Sequence, residues 1–208
     1  AAPVKGAVTR GEISHAKPMD AETIGDLKAR LDDYGGNRTT VIAIRLMLYL
    51  FVRTSELRNA EWVEFDLIKG EWLIPKERMK RRRELWVPLP MQAIELIKEL
   101  ATITSAGRYL FPNNRRPDQS MSATTINRAL EHMGYVSGQW TGHDFRATAS
   151  TRLNEMKYNH DAIERQLAHV DGNATRRVYN HAEYADERRE MMQEWADWID
   201  SIVAKSEM

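Results

Sequence analysis

The chain has 208 residues, and its 30 Lys and Arg balance 30 Asp and Glu to a formal net charge of zero. This length suits one ordinary domain or two small ones, and 42% hydrophobic with 29% charged residues describes a globular chain rather than a disordered one. The absence of cysteine excludes disulfides, thiolate nucleophiles and Cys-ligated zinc, and the longest apolar run, the 12 residues Val41–Val52 interrupted by Arg45, is too short and too charged to span a bilayer.

Ala1–Pro18 shows no clear period and no apolar stretch of the kind a signal peptide carries, so it is expected to be a linker or interdomain stub. Asp20 can cap a helix that carries Ile24, Leu27 and Leu31 on one face and ends at Gly35-Gly36. Thr40–Phe51 is apolar nearly all round, which predicts a helix buried at the domain centre. The period then changes. Glu61–Leu67, Glu71–Pro75 and Leu85–Leu89 are short and rich in Trp, Val, Leu and Ile, as expected of a three-stranded antiparallel sheet. Between the second and third strands lies Lys76–Arg83, with six positive charges and one negative, placed to form the tip of a hairpin. Helical patterns resume over Met91–Ile103, from near Ser122 to Gly134, from about His143 to Met156, after a cap at Asn159 or His160, and over Glu183–Ile202. The predicted class is α+β, mainly α: a helical domain over 19–208 with one small three-stranded sheet.

Neutrality alone argues against a nucleic-acid binder, but the charge is unevenly spread. From Glu183 onward there are eight acidic and three basic residues, a charge of −5, so residues 1–182 carry +5. The ordinary reading of a basic run is a solvated loop; the sharper one is a finger laid against phosphates.

His143-Asp-Phe-Arg146 places an imidazole and a guanidinium three residues apart on one helix face. Such a pair suits phosphoryl transfer: the imidazole exchanges a proton while the guanidinium holds non-bridging oxygens bidentately. Arg53 follows the buried helix directly, where a charge is costly unless paired, and Glu56 is a candidate partner. His169 ends another apolar-faced helix, and Tyr179 follows ten residues later.

The ordered set Arg53, Lys80, His143, Arg146, His169 and Tyr179 resembles the catalytic signature of the tyrosine recombinases, the phage-integrase family. The stretches Ile74-Pro-Lys-Glu-Arg-Met-Lys80, Val87-Pro-Leu, Thr141-Gly-His-Asp-Phe-Arg-Ala-Thr-Ala-Ser-Thr151 and Glu187-Arg-Arg-Glu-Met-Met-Gln-Glu-Trp-Ala-Asp197 are similar to its prophage and genomic-island integrases. The likeness runs roughly from Lys17 to Asp200. It implies the tyrosine recombinase catalytic fold over 19–208, with a C-terminal helix over 183–203. It also implies site-specific DNA recombination, the integration or excision of a mobile element through a 3′-phosphotyrosyl intermediate. On this resemblance Tyr179 is the nucleophile, Arg53 and Arg146 clamp the phosphate, Lys80 protonates the leaving 5′-oxygen, His143 assists proton transfer, His169 donates to the phosphate, and Glu56 orients Arg53 or His143. Arg78, Arg81, Arg82 and Arg83 are expected DNA contacts. No metal or other cofactor is expected, because the cationic side chains supply the charge a metal supplies elsewhere. The implied partners are double-stranded attachment sites, with a homotetramer on DNA, a monomer or weak oligomer in isolation, and no membrane. The implied location is the bacterial host cytoplasm, at the nucleoid. Members of this type carry DNA-binding domains ahead of the catalytic one, so the chain is expected to be a catalytic fragment with weak, salt-dependent DNA affinity.

The chain departs from the family pattern in three places. The ten-residue step from His169 to Tyr179 is one longer than the commonest spacing, which keeps Tyr184 as a rival nucleophile. Phe51 stands where many members have glycine, and Lys76 competes with Lys80. The C-terminal helix carries an apolar stripe, Met191, Trp195, Trp198 and Ile202, which suits packing on its own domain or docking on a neighbouring protomer. Three other functions remain open: a metal-dependent phosphohydrolase built on the His143-Asp144, His160-Asp161 and His169-x-Asp171 pairs, a type IB topoisomerase, and a non-catalytic DNA-binding module.

Overall fold

The computed structural model describes residues 18–80, 82–136, 139–169 and 184–203. Helix α1 (Ala21–Asp33) starts where Asp20 accepts a hydrogen bond from the Thr23 N–H at 2.8 Å, and it buries Ile24, Leu27 and Leu31 as the spacing predicts. Asn37 caps α2 (Arg38–Leu50) in the same way, through the Thr39 N–H. Eleven of the 13 residues of α2 are buried, so this helix forms the axis around which the domain is built. It contacts α3 (Thr54–Arg58) and four helices later in the chain.

The sheet is smaller than its sequence suggests. Strand β1 is only Phe65–Asp66, and Trp62–Glu64 forms a 3₁₀ turn. The cause is a competing partner: Glu61 bridges to Tyr109, and the Trp62 N–H bonds the Arg108 carbonyl at 3.1 Å, which draws the chain away from the sheet. Strands β2 (Glu71–Ile74) and β3 (Leu85–Pro88) pair antiparallel from Glu71 opposite Pro88 to Ile74 opposite Leu85. The basic run therefore lies on the β2–β3 connection, as expected, with a short 3₁₀ turn at Lys76–Arg78.

Helices α4 (Met91–Thr104), α5 (Thr125–His132), α6 (Gly142–Glu155), α7 (His160–Gln166) and α8 (Ala185–Ser201) complete the described elements. Helix α5 starts three residues later than predicted, because Ser122 closes a turn by accepting from the Thr125 N–H at 3.1 Å. Nearly all of the expected stub, 1–17, lies outside the described residues.

Helix α8 packs on its own domain. Met191 and Trp195 of the predicted stripe are fully buried, joined by Met192 and Ile199, while Trp198 and Ile202 are partly buried against the same core. The Trp195 indole N–H donates to the Leu48 carbonyl of α2 at 3.0 Å. At the far end the Lys28 ammonium donates to the carbonyls of Ile199, Asp200 and Ile202, as a cation at a helix C-terminus should. This face is thus occupied in cis and is not a free dock for a neighbour.

Truncating Trp195 to Ala removes a fully buried indole and its hydrogen bond, and is expected to cost about 3–5 kcal/mol. Ile68→Ser, at a fully exposed turn, should stay within about 0.5 kcal/mol of the parent. Urea unfolding of the two variants checks both figures.

Candidate active site

The site is organised where α2 ends. Phe51 takes a left-handed conformation (φ 39, ψ 33) as the C-cap of α2. For a non-glycine residue this costs about 1–2 kcal/mol. The Phe51 ring is fully buried with its edge against Trp195, at 5.9 Å between centroids, so packing holds the strained backbone in place.

Two residues later Arg53 becomes the N-cap of α3. Glu56 grips it twice: one carboxylate oxygen accepts from the Arg53 N–H at 2.8 Å, the other from its guanidinium at 2.6 Å. Glu56 is itself buried, so its carboxylate holds the Arg53 guanidinium from within the fold. A third bond runs from the Arg53 guanidinium to the Ala168 carbonyl at 3.4 Å.

Arg146 approaches from α6. Its guanidinium is buried and donates to the Phe51 carbonyl at 2.8 Å and to the Leu167 carbonyl. Among the described residues it has no carboxylate within ion-pairing distance, and burial, reinforced by the neighbouring Arg53 charge, lowers its pKa to about 10. It remains charged at neutral pH. Since a depressed folded pKa in a base means fewer protons bound when folded, the stability penalty is full below about pH 10 and fades only as pH rises above it. An anion placed against Arg146 removes that penalty.

His169 completes the cluster. It follows Ala168, another left-handed residue (φ 49), and its Nε2 lies 3.5 Å from the Arg146 guanidinium. Its Nδ1 faces the Glu164 carboxylate at 2.9 Å, which holds the ring in orientation. Glu164 was not singled out by sequence reasoning, because its five-residue separation from His169 matches no helical spacing.

His143 sits exposed on the first turn of α6, three residues before Arg146. That turn is brought close to α3 by Gly142, where an added Cβ would lie 2.2 Å from the Thr54 hydroxyl. Thr141 and Asp144 form a capping box on it, so the Asp144 carboxylate is committed to the Thr141 N–H and hydroxyl. Asp144 is therefore not available as the metal ligand imagined in the phosphohydrolase reading, and no group of three or more His, Asp or Glu converges among the described residues.

On the hairpin, Lys80, Arg82 and Arg83 are exposed, as is the rival Lys76. Arg78 is placed differently from its neighbours on the run. It turns inward to an ion pair with Glu64, with side-chain exposures of 16% and 6%. The reason is a buried acceptor: Glu64 lies within reach of the hairpin and also accepts from the Trp72 indole at 2.9 Å. Arg81 and Tyr179 lie outside the described residues. Tyr184, the rival nucleophile, leads into α8 with its ring under the Arg165 guanidinium at 5.4 Å.

Residues 19–186 match the Phage integrase family. The chain belongs to the phage integrase family. It is 40% identical to the integrase of Enterobacteria phage P4 across 96% of this chain and 49% of that protein. It is 46% identical to the prophage integrase IntZ of Escherichia coli K12 across 78% of this chain and 40% of that protein. The chain thus spans about half the length of the curated relatives it matches. Among solved structures, the Tn1549 transposon integrase in complex with transposon right-end DNA shares the fold, with a TM-score of 0.63 over 86% of this chain and 66% of that chain at 16% identity.

If Arg146 is an anion seat, sulfate should raise the melting temperature of the parent more than an equal ionic strength of chloride does. Arg146→Met should lose that difference. Differential scanning fluorimetry reads both.

Proposed function

We propose that this chain is the strand-cleaving and rejoining domain, over 19–208, of a site-specific DNA recombinase that integrates or excises a mobile element. The observation that carries the reading is the pair of guanidiniums on adjoining carbonyls, with Arg146 buried, lacking a carboxylate partner among the described residues, and touching His169. Such a concentration of fixed N–H donors suits the extra negative charge of a pentacoordinate phosphorane. The integrase names of the curated relatives and the DNA in the Tn1549 complex support the same substrate class.

In this reading Arg53 and Arg146 hold the two non-bridging oxygens of the scissile phosphate, and His169 donates a further hydrogen bond. The Tyr179 hydroxyl attacks phosphorus, giving up its proton with help from His143. A tyrosyl O–P bond forms on the 3′ side and the P–O5′ bond breaks, the 5′-oxygen taking a proton from Lys80. The phosphoester energy is retained, so a 5′-hydroxyl of the partner strand reverses the step and rejoins the DNA. Lys80, Arg82 and Arg83 on the exposed hairpin fit contact with the duplex. Two duplexes present four strands and each tyrosine cuts one, so the finer proposal is a homotetramer on paired attachment sites, acting in the bacterial cytoplasm where host and element DNA meet.

The test is a nicked suicide duplex carrying the junction at which the encoding element joins its host, followed by mass spectrometry of the DNA-linked peptide. Linkage is expected at Tyr179, with Tyr179→Phe losing all covalent complex and Tyr184→Phe retaining it. Cleavage should persist in EDTA. Attachment at Tyr184, or dependence on a divalent metal, would overturn the assignment.

A further inference from the structure

The Arg78–Glu64 pair lies outside the phosphate clamp, yet it joins two parts that the proposed reaction needs together. The Arg78 guanidinium donates to both Glu64 carboxylate oxygens and also to the backbone carbonyl of Glu56. Glu56 is the residue whose carboxylate fixes Arg53. Glu64 is in turn held by the Trp72 indole, whose ring stacks on Phe65 at 5.0 Å, so the acceptor is rigid. Along the β2–β3 connection Lys76, Glu77, Lys80, Arg82, Arg83 and Glu84 are exposed, while Arg78 and Met79 turn in. Lys80 comes directly after those two anchors, and no described residue holds its ammonium.

We infer that Arg78 is a positioning residue: its bridge from Glu64 to the Glu56 carbonyl latches the hairpin to α3 and so sets where Lys80 stands relative to the Arg53 clamp. The inference rests on the reading of Lys80 as the donor to the leaving 5′-oxygen. An error of about 1 Å in such placement can cost on the order of a hundredfold in rate. Arg78→Lys keeps the charge but cannot bridge both acceptors. The double variant Arg78→Met with Glu64→Gln removes the latch without leaving a buried carboxylate unpaired.

The experiment measures covalent-complex formation on the nicked junction duplex with either an ordinary 5′-oxygen or a 5′-bridging sulfur at the scissile phosphate. Sulfur departs as a thiolate and needs no proton, so it relieves only defects in leaving-group protonation. Both Arg78 variants, folded by circular dichroism, are expected to slow by about tenfold or more on the oxygen duplex and to return to within about threefold of the parent on the sulfur duplex. Trypsin should also cut the folded double variant faster after Lys80, Arg82 and Arg83. Equal slowing on both duplexes, or parental rates on both, would overturn the inference, as would an unchanged tryptic rate. Lys80→Ala serves as the control. If sulfur fails to relieve it, the role of Lys80 falls, and the catalytic half of the inference with it, while the tryptic rate still decides whether the latch exists.

Discussion

Arg146 donates from a buried position to the carbonyls of Phe51 and Leu167, and those two bonds join the end of α2, the start of α6 and the end of α7 at one point. A guanidinium can be kept inside a protein only if its N–H groups find acceptors and its charge finds some compensation. Here carbonyl dipoles supply the acceptors, and among the described residues no carboxylate pairs with it directly, Glu56 and Glu164 offsetting its charge only through space. The arrangement leaves a cation in a poorly solvated place beside Arg53 and His169. Arg53 and His169 are held around it by the same local devices: a helix cap, a left-handed residue and one carboxylate each.

Much of this could be read from residue types and spacing. The period of α1 and the all-round apolarity of α2 identify the side chains those helices bury, while α6 carries His143 and Arg146 three residues apart, the first exposed and the second buried. What sequence could not show was the part played by backbone atoms. The Phe51, Leu167 and Ala168 carbonyls carry no signature in side-chain identity, yet Arg53 and Arg146 donate to them. The shortness of β1 was hidden for a related reason, since Trp62 and Val63 suit a strand locally and only the distant Tyr109 segment decides otherwise.

The basic run shows a second limit. Six arginines and lysines in a row of eight look equivalent by composition, but folding sorts them by what lies beneath. Arg78 faces a buried glutamate and turns in, whereas Lys80, Arg82 and Arg83 meet only solvent. A charge count over the run therefore overstates what reaches a phosphate. The neutral total has the same character, because it sums a positive stretch over 1–182 and a negative one from Glu183 onward.

The edge-on contact between Phe51 and Trp195 has a consequence for interpreting deletions. The Trp195 indole of α8 buttresses Phe51, the left-handed residue whose carbonyl accepts from Arg146. Without that buttress nothing in this contact opposes relaxation of the left-handed Phe51, and the aim of its carbonyl at Arg146 would loosen. Loss of the C-terminal helix would then mimic an active-site lesion in a monomer, before any subunit contact is involved. A dead truncation of this chain is consequently no sign, on its own, that the helix serves a neighbouring copy.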